Sequence, residues 1–270
     1  MSLLFGLMGE KLKHSFSPAI HSIIFKELNL DGHYQLFEVK KEELKNAVYG
    51  LKALGAKGVN VTIPYKIDIM QYLDGISDEA RKIDAINTVC FKDNKTFAYN
   101  TDYFGFGIML NKFDINTKNR KAVVLGTGGA AKSIMQYLID KNIGDITLVS
   151  RDINMGKEKF TDYRVISYDD IEGIGKQDII INTTPCGMYP KVNNSPIKKE
   201  DMLNFDVAVD LIYNPIETLF LKYAREQGIK RVNGLYMLVG QAVKAQELWN
   251  EINISSEIID RIYEKIVESI

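Results

Sequence analysis

Apolar and polar residues follow one another in blocks along the chain, and these blocks predict strands that alternate with helices. Strands are predicted at residues 4–8, 34–39 and 58–63, where most residues are apolar, and apolar residues recur at helical spacing between them. The order strand, helix, strand, helix, strand predicts an α/β unit with a largely parallel sheet. In the first helix we expect Ser17 to be the N-cap and Pro18 the first helical residue.

A hairpin and a second series of strands follow this unit. Residues 88–99 predict a hairpin that turns at Asp93 and Asn94, and residues 103–113 an amphipathic helix that joins two domains. Short helices are predicted at 65–73 and 78–83, further strands at 121–125, 146–150, 164–167, 178–182 and 207–211, and closing helices at 237–250 and 257–269. The pattern therefore predicts a two-domain α/β protein.

One strand of the second series leads directly into a glycine-rich turn and then into a helix. In a dinucleotide-binding turn, Gly126 lets the chain turn tightly, Gly128 lets the backbone approach a pyrophosphate, and Ala131 packs the helix on the strand. The free N–H groups at the helix start would bind the phosphates. A purely structural turn is the alternative, but the order of strand, turn and helix favours a Rossmann-type domain.

Size and charge restrict the partners that we expect. A chain of 270 residues and 30.6 kDa is long enough for about two domains with full cores. A formal net charge of −1 gives no reason to expect nucleic acid or an anionic membrane as a partner. No apolar run is long enough to span a bilayer, and the N-terminus lacks the layout of a signal peptide. We therefore expect a cytoplasmic protein.

Cysteine and histidine usage argues against a disulfide or a metal site. Cys90 and Cys186 stand far apart in the sequence, so no disulfide framework is expected. His14, His21 and His33 lack the spacing of zinc ligands, so no bound metal is expected.

Lys66 and Asp102 are the candidate catalytic residues. Lys66 follows a strand and Pro64, and Asp102 ends the first domain just before the interdomain helix. Strand ends that face a cleft are where α/β proteins place ligand groups, so we expect the chemistry to lie between the two domains. A lysine held near a carboxylate can donate a proton to a carbonyl oxygen as hydride reaches the carbon. The alternative is that Lys66 starts a surface helix and Asp102 caps one.

Polar side chains at other strand ends would suit a ligand that carries several hydroxyl groups. They occur in three places along the first half of the chain, namely Ser15 and Ser17, Asn60 and Thr62, and Asn87 and Thr88. Asn60 and Thr62 are separated by one residue and therefore lie on one face of their strand. Each of these residues also has an ordinary structural alternative as a cap, a β-residue or a turn former.

Taken together, these residues resemble the shikimate dehydrogenase family. The matching segments are residues 13–18, 60–66, 85–88, 100–102, the turn at Gly126, and residues 182–188, 210–215 and 237–241. They lie in the family's order and extend over nearly the whole chain. The resemblance implies the reversible reduction of 3-dehydroshikimate to shikimate by NADPH in aromatic amino-acid biosynthesis.

The resemblance also implies roles for individual residues. The lysine and aspartate that match Lys66 and Asp102 are catalytic in the family. Substrate-binding positions correspond to Ser15, Ser17, Asn60, Thr62, Asn87, Tyr213 and Gln241. Cofactor-binding positions correspond to Gly126, Thr127, Gly128, Gly129, Ala130, Ala131, Ser150, Arg151, Asp152, Thr184 and Gly234. We expect residues 1–102 with 236–270 to form the substrate domain, completed by the C-terminal helices, and residues 103–235 the NADP-binding domain.

The segment after the second strand of the nucleotide domain departs from the family's usual NADP pattern. Ser150 stands in place of an asparagine, Asp152 in place of a threonine, and Met155 in place of a second arginine. Arg151 is retained and can pair with a 2′-phosphate, or it is a solvated loop residue. Losing a cation and gaining an anion should weaken discrimination for NADP, for which Lys157 could compensate.

The sequence leaves two alternative functions open. The first is an NAD-preferring quinate/shikimate dehydrogenase of the same superfamily, which Asp152 keeps open. The second is a noncatalytic dinucleotide-responsive binding protein, against which the presence of Lys66 and Asp102 argues. We expect a monomer or a homodimer. Asp84 also departs from the family, which commonly has glycine there, and the sequence assigns it no consequence.

Overall fold

The computed structural model describes residues 2–13 and 15–269 and divides into two compact units. Unit 1 comprises the chain up to Gly105 together with the chain from Val239 onward, and unit 2 comprises Phe106–Leu238. His14 lies outside the described residues. Within the described ranges, no helix combines the length and the apolar character needed to cross a membrane.

The strands are β1 Leu3–Gly9, β2 Gly32–Glu38, β3 Gly58–Val61, β4 Gly75–Ile76, β5 Thr88–Lys92, β6 Lys95–Tyr99, β7 Lys121–Leu125, β8 Asp145–Val149, β9 Arg164–Ile166, β10 Ile179–Asn182, β11 Val207–Asp210 and β12 Lys230–Val232. The helices are α1 Ser17–Glu27, α2 Leu44–Ala53, α3 Tyr65–Asp68, α4 Asp78–Ile83, α5 Thr101–Lys112, α6 Gly129–Asp140, α7 Ile153–Lys159, α8 Leu219–Glu226, α9 Leu235–Asn250 and α10 Ser256–Val267. Short 3-10 helices cover Lys41–Glu43, Ile69–Tyr72, Asp169–Gly173 and Glu200–Asn204.

The sheet of unit 1 is mixed, with the order β2-β1-β3-β5-β6-β4. The first three strands are parallel, as the strand and helix pattern predicted, and β5 runs antiparallel to both β3 and β6. The hairpin of β5 and β6 turns at Asp93 and Asn94, whose φ angles are +49° and +59°. Positive φ at both central residues suits the twist of a two-residue hairpin turn, which explains why this pair could be read from the sequence.

Both faces of this sheet are covered within unit 1. Alternate residues of β1 point to opposite faces, so Phe5 packs against Phe25 and Trp249, while Met8 packs with Leu44 of α2. The indole Nε1 of Trp249, in α9, donates to the carbonyl oxygen of Val89 over 3.0 Å. The last helices of the chain therefore belong to the same core as the first strands.

The sheet of unit 2 is entirely parallel, with the order β12-β11-β10-β7-β8-β9. Numbered within the unit, and read from β9, this order is 3-2-1-4-5-6, which is that of a dinucleotide-binding Rossmann sheet. The strand order reverses between β7 and β10, where such sheets bind ligands beyond the strand ends. The predicted fold class is thus confirmed: two α/β parts, one with a Rossmann-type parallel sheet.

Two local features differ from what the sequence led us to expect or left open. Helix α1 begins at Ser17 with Phe16 in the cap position, so Ser17 as N-cap is wrong by one residue. The Ser15 Oγ accepts the N–H of Ser17 over 3.2 Å, so the earlier serine provides this contact. Asp84 follows α4 with φ +57°, a left-handed position where glycine is favoured and aspartate tolerated.

Candidate active site

Lys66 and Asp102 form an ion pair in unit 1. Lys66 is the second residue of α3, which begins just after β3 and Pro64, and Asp102 is the second residue of α5. The Lys66 Nζ donates to the Asp102 Oδ2 over 2.7 Å, and the two side chains are 28% and 21% exposed. No other described residue accepts a hydrogen bond from this ammonium group, which leaves two of its three donors for a ligand.

A buried polar network lies at the ends of neighbouring strands in the same unit. The Asn60 Nδ2 donates to the Asn87 carbonyl oxygen and to the Thr88 Oγ1, over 3.3 and 3.0 Å. The Asn87 Oδ1 accepts from the N–H and Oγ1 of Thr101, over 2.6 and 3.0 Å. Its Nδ2 donates to no described residue, so a nearly buried amide keeps a free donor. The Thr101 Oγ1 also contacts the Gln241 Oε1 at 3.4 Å.

This network and the ion pair are joined through the backbone. The N–H of Ile86, directly before Asn87, donates to the carbonyl oxygen of Lys66 over 2.9 Å. Thr101, which binds Asn87, is directly followed by Asp102. The positions of Lys66, Asn87 and Asp102 are therefore set by one continuous set of hydrogen bonds.

Ser17 and Tyr34 extend the network toward α1. The Tyr34 hydroxyl group donates to the Asn60 Oδ1 over 2.7 Å and is also hydrogen-bonded to Ser17. Burial raises the pKa of Tyr34 above its ordinary value, so the phenol remains a donor. Thr62 follows β3, its N–H donates to the carbonyl oxygen of Met8, and its hydroxyl group has no partner among the described residues.

The structure thus joins Lys66, Asp102, Asn60, Asn87 and Gln241 in unit 1. Among the described residues no hydrogen bond joins Thr62 to this set, and Ser15 reaches it only through Ser17. The structure also adds residues that the sequence did not single out. Tyr34 is an ordinary strand residue by pattern, and Thr101 lies in the family-matching segment 100–102 without a predicted role. The assembled groups are an ammonium, a carboxylate, hydroxyls and amides. They can bind a hydroxylated ligand and deliver a proton. Within the described residues, no cluster of His, Cys, Asp and Glu could hold a metal ion.

The glycine turn of unit 2 has the geometry of an anion site. Gly126 has φ +103°, and a Cβ there would lie 2.8 Å from the Thr184 Cγ2, so the turn requires glycine. A Cβ on Gly128 or Gly129 would meet nothing within 4 Å, which leaves open space beside the backbone. Helix α6 has no side-chain cap, so its first N–H groups are available to a phosphate. These features fit a bound dinucleotide.

A cavity of about 690 Å³ extends from this turn. Of the predicted cofactor residues, it is lined by Gly126, Thr127, Gly128, Ser150, Arg151, Asp152 and Thr184. Gly129, Ala130, Ala131 and Gly234 are not among its lining residues, and neither is Lys157. Lys191 does line it, from the loop after β10, and no motif in the sequence pointed to this lysine.

The segment after β8 has a fixed local geometry. The Asp152 Oδ1 accepts the N–H of Met155 over 2.9 Å and caps the N-terminus of α7. The Ser150 Oγ donates to the carbonyl oxygen of Asp152 over 2.7 Å. Asp152 therefore does what the family's usual threonine can also do, which is to cap this helix. Arg151 lies within electrostatic reach of Tyr168 and Cys186 on the cavity wall and opposes the rise that burial causes in the pKa of each.

Gly234 and Tyr213 lie elsewhere in unit 2. A Cβ on Gly234 would lie 2.0 Å from the carbonyl oxygen of Leu211, so glycine is needed there for backbone packing. Tyr213 is partly buried, and burial raises its pKa. Their expected roles with ligands stay predictions.

Comparison with known proteins identifies the family. A model described as the shikimate dehydrogenase substrate binding domain matches residues 7–89, and one described as shikimate / quinate 5-dehydrogenase matches residues 108–211. The chain belongs to the shikimate dehydrogenase family. The resemblance that the sequence motifs indicated is confirmed.

Individual family members are similar over their full length. A shikimate dehydrogenase (NADP(+)) of Clostridium perfringens is 51% identical over 97% of this chain and 98% of its own. A chorismate mutase/shikimate 5-dehydrogenase fusion protein of Clostridium acetobutylicum has a TM-score of 0.97 at 51% identity, covering 100% of this chain and 99% of the other. Shikimate 5-dehydrogenase of Listeria monocytogenes, solved with shikimate and NAD, has a TM-score of 0.89 at 30% identity, covering 98% and 96%.

Proposed function

We propose that this chain is an NADP-dependent shikimate dehydrogenase that catalyses the reversible reduction of 3-dehydroshikimate to shikimate in aromatic amino-acid biosynthesis. The observation that carries the proposal is the Lys66–Asp102 pair, 2.7 Å apart and linked to a buried network of hydroxyl and amide groups. The names of the similar enzymes support the same activity. An oxidoreductase is favoured over a noncatalytic binding protein because both members of the pair are present and in contact.

In this proposal Lys66 is the general acid of the reduction. Its Nζ donates a proton to the carbonyl oxygen of 3-dehydroshikimate and takes a proton back from the hydroxyl group in the oxidation. Asp102 holds the ammonium group in place through its Oδ2. A reduced nicotinamide, when bound, supplies the hydride.

The polar network around the pair binds the rest of the substrate. Ser15 and Ser17 bind the carboxylate through hydroxyl donors, which needs no arginine. The free Nδ2 of Asn87 and the free hydroxyl group of Thr62 suit the ring hydroxyls. Asn60 and Gln241 complete the site, and Tyr213 stays a further proposed substrate-binding residue. Unit 1 is then the substrate domain.

Unit 2 is then the cofactor domain, with the pyrophosphate at Gly126, Thr127 and Gly128 on the first N–H groups of α6. Gly234 lies near the nicotinamide. Arg151 and Lys191 supply two cations to the cavity against the single anion of Asp152, which favours the additional phosphate of NADP.

A kinetic comparison of shikimate and quinate with NADP and NAD tests the proposal. We expect turnover of shikimate with NADP to have the highest kcat/KM of the four pairs. A preference for NAD would instead favour an NAD-linked quinate/shikimate dehydrogenase. The observation that supports this alternative is the Asp152 carboxylate in the cavity, since an acidic side chain at this place is typical of NAD binding. Absence of turnover with all four pairs would overturn the assignment as an enzyme of this class.

A cytoplasmic location belongs to the same proposal, because a reaction of central biosynthesis and the free thiols of Cys90 and Cys186 suit a reducing compartment. The oligomeric state, monomer or homodimer, stays a prediction that light scattering can test.

A further inference from the structure

Two buried side chains lie side by side at the ends of β10 and β11. Asn182 and Asp210 pair in register as the last residues of their parallel strands, and both are fully buried. The Asn182 Nδ2 donates to the Asp210 Oδ1 over 3.0 Å. The comparisons and the sequence motifs assign neither side chain a role.

The oxygen of the Asn182 amide contacts Thr184, which lines the cavity next to the glycine turn. The Asn182 Oδ1 accepts from the N–H and the Oγ1 of Thr184, over 3.0 and 2.7 Å. The Thr184 Oγ1 in turn accepts the N–H of Cys186 over 3.2 Å. Thr184 and Cys186 both line the cavity, and Thr184 lies directly against Gly126 of the glycine turn.

Asp210 helps to fix which way the Asn182 amide points, together with the Cys186 carbonyl oxygen, which accepts from the Asn182 Nδ2 over 3.4 Å, and the N–H of Thr184, which donates to its Oδ1. The Asp210 carboxyl group accepts from the Thr218 Oγ1 over 2.6 Å, from the N–H of Ile212 over 3.1 Å and from Asn182. Burial raises the pKa of Asp210 to about 6, so the group is largely ionised at neutral pH. An ionised carboxylate can only accept hydrogen bonds. Asn182 must therefore present its Nδ2 to Asp210, which leaves the Oδ1 for Thr184.

We infer that Asp210 is a positioning residue for the dinucleotide, which acts through the amide of Asn182 on the Thr184 wall of the cavity. The inference rests on the proposed function only in naming the ligand as a nicotinamide dinucleotide. Asp210 itself is fully buried and is not among the cavity-lining residues. Its effect on binding therefore passes through Asn182.

Exchanging the two side chains tests the inference. In Asn182→Asp two carboxylates face each other, and we expect the Kd for NADPH, measured by direct fluorescence titration, to rise about tenfold or more. In the double variant Asn182→Asp with Asp210→Asn, the amide at 210 can donate to the carboxylate at 182, and the Kd should return to within about threefold of the parent value. The KM for shikimate should stay within about twofold in both.

Controls separate positioning from loss of stability. Thr218→Val removes the contact to the other carboxylate oxygen and the cap of α8, so it should lower Tm without changing the Kd for NADPH. Asp210→Asn alone is a milder change that is usable if Asn182→Asp does not fold. We expect it to raise the Kd about threefold, because a neutral amide oxygen holds the Asn182 Nδ2 less strongly than a carboxylate does.

Three outcomes would overturn the inference. The first is that Asn182→Asp and Asp210→Asn both bind NADPH with the affinity of the parent protein. The second is that the double variant recovers the Tm of the parent protein but not its affinity. The third is that Thr218→Val raises the Kd as much as Asp210→Asn does. Failure of the parent protein to oxidise shikimate with NADP would instead contradict the proposed function, and the direct titrations would still decide the role of Asp210.

Discussion

Lys66 carries the chemical step in the proposed reaction, and its removal should affect turnover far more than binding. We expect Lys66→Ala to lower kcat by roughly 10²- to 10⁴-fold, the usual range for a lost general acid, while the KM for shikimate changes by no more than a few fold. Lys41→Ala is a matched control, because Lys41 also pairs with a carboxylate, that of Asp68 at 2.9 Å, but is largely exposed. Near-normal kcat in Lys66→Ala would contradict the assignment.

His21 should make the folded protein sensitive to acid. Its ring is buried against Tyr34, its Nδ1 accepts from the Gln246 Nε2 over 2.9 Å, and burial lowers its pKa from 6.5 to about 3. Between about pH 6.5 and pH 3 the unfolded chain binds a proton at His21 that the folded chain excludes. The stability that the neutral His21 ring contributes to the fold is therefore complete above about pH 6.5 and is lost as the pH falls toward 3. His21→Asn removes this titrating group. The variant should be less stable than the parent protein at pH 7, and the difference between their free energies of unfolding, measured by urea titration, should become smaller between about pH 7 and pH 4. A deficit that is constant with pH would contradict this.

The sequence identified the reactive side chains more completely than the residues that hold them. Lys66, Asp102 and Asn87 stand in motifs whose residue types already suggest ligand contacts. Tyr34 and Lys191 could not be found in this way, because a tyrosine in a strand and a lysine in a loop are common everywhere. Their places depend on which strand ends and loops meet, and a local pattern does not contain that information.

Long, strongly patterned elements were the predictable ones. Strand β7 and the hairpin of β5 and β6 begin and end where the apolar runs and turn residues predicted. Strand β4 has only two residues, which is too short for a pattern to be recognised, and β12 contains two charged residues, Lys230 and Arg231, before its one buried valine. They exist because neighbouring strands pair with them, so they follow from tertiary structure rather than from local sequence.

The N-terminus of α7 offers a test of cofactor selection. Asp152 both caps this helix and brings a negative charge to the cavity, and threonine can perform the first task without the second. We expect Asp152→Thr to lower the KM for NADPH by roughly three- to tenfold and to leave the KM for NADH nearly unchanged. Asp152→Ala should give the same change in KM but lose about 1 kcal/mol of stability with the cap. Equal changes for both cofactors would show that Asp152 does not act on the 2′-phosphate.

The C-terminus of α4 explains why aspartate replaces the family's usual glycine at modest cost. Asp84 has φ +57°, a conformation that glycine adopts without strain. We expect Asp84→Gly to raise the free energy of unfolding by roughly 0.5–1 kcal/mol. Lys82→Gly, inside the same helix, should lower the free energy of unfolding by about 1 kcal/mol, since glycine has a low helix propensity. Denaturant titration of both variants measures whether each change raises or lowers the free energy of unfolding. A lower free energy of unfolding in Asp84→Gly would contradict the idea that the positive φ of Asp84 is strained.

The order of the two units along the chain has a thermodynamic consequence. Unit 2 is inserted between the two stretches of unit 1, and α5 and α9 carry the chain from one unit to the other. When unit 2 unfolds, residues 106–238 become a flexible loop of roughly 130 residues, and closing such a loop costs about 4 kcal/mol in entropy. While unit 2 is unfolded, this entropy cost lowers the stability of unit 1, because α9 and α10 remain part of unit 1 only if the loop is closed. Its stability therefore depends on unit 2 being folded.

A ligand of unit 2 should consequently protect a reporter in unit 1. Trp249 is the single tryptophan of the chain and is buried in the core of unit 1. We expect adenosine 2′,5′-bisphosphate at about a hundred times its Kd to raise the midpoint of thermal unfolding followed by Trp249 fluorescence by about 5 °C or more. The midpoint followed by circular dichroism should rise by the same amount. At the same ligand concentration, both increases should be smaller in Arg151→Ala, which loses a cation of the cavity. A Trp249 midpoint that stays fixed while the circular dichroism midpoint rises would contradict the dependence of unit 1 on unit 2.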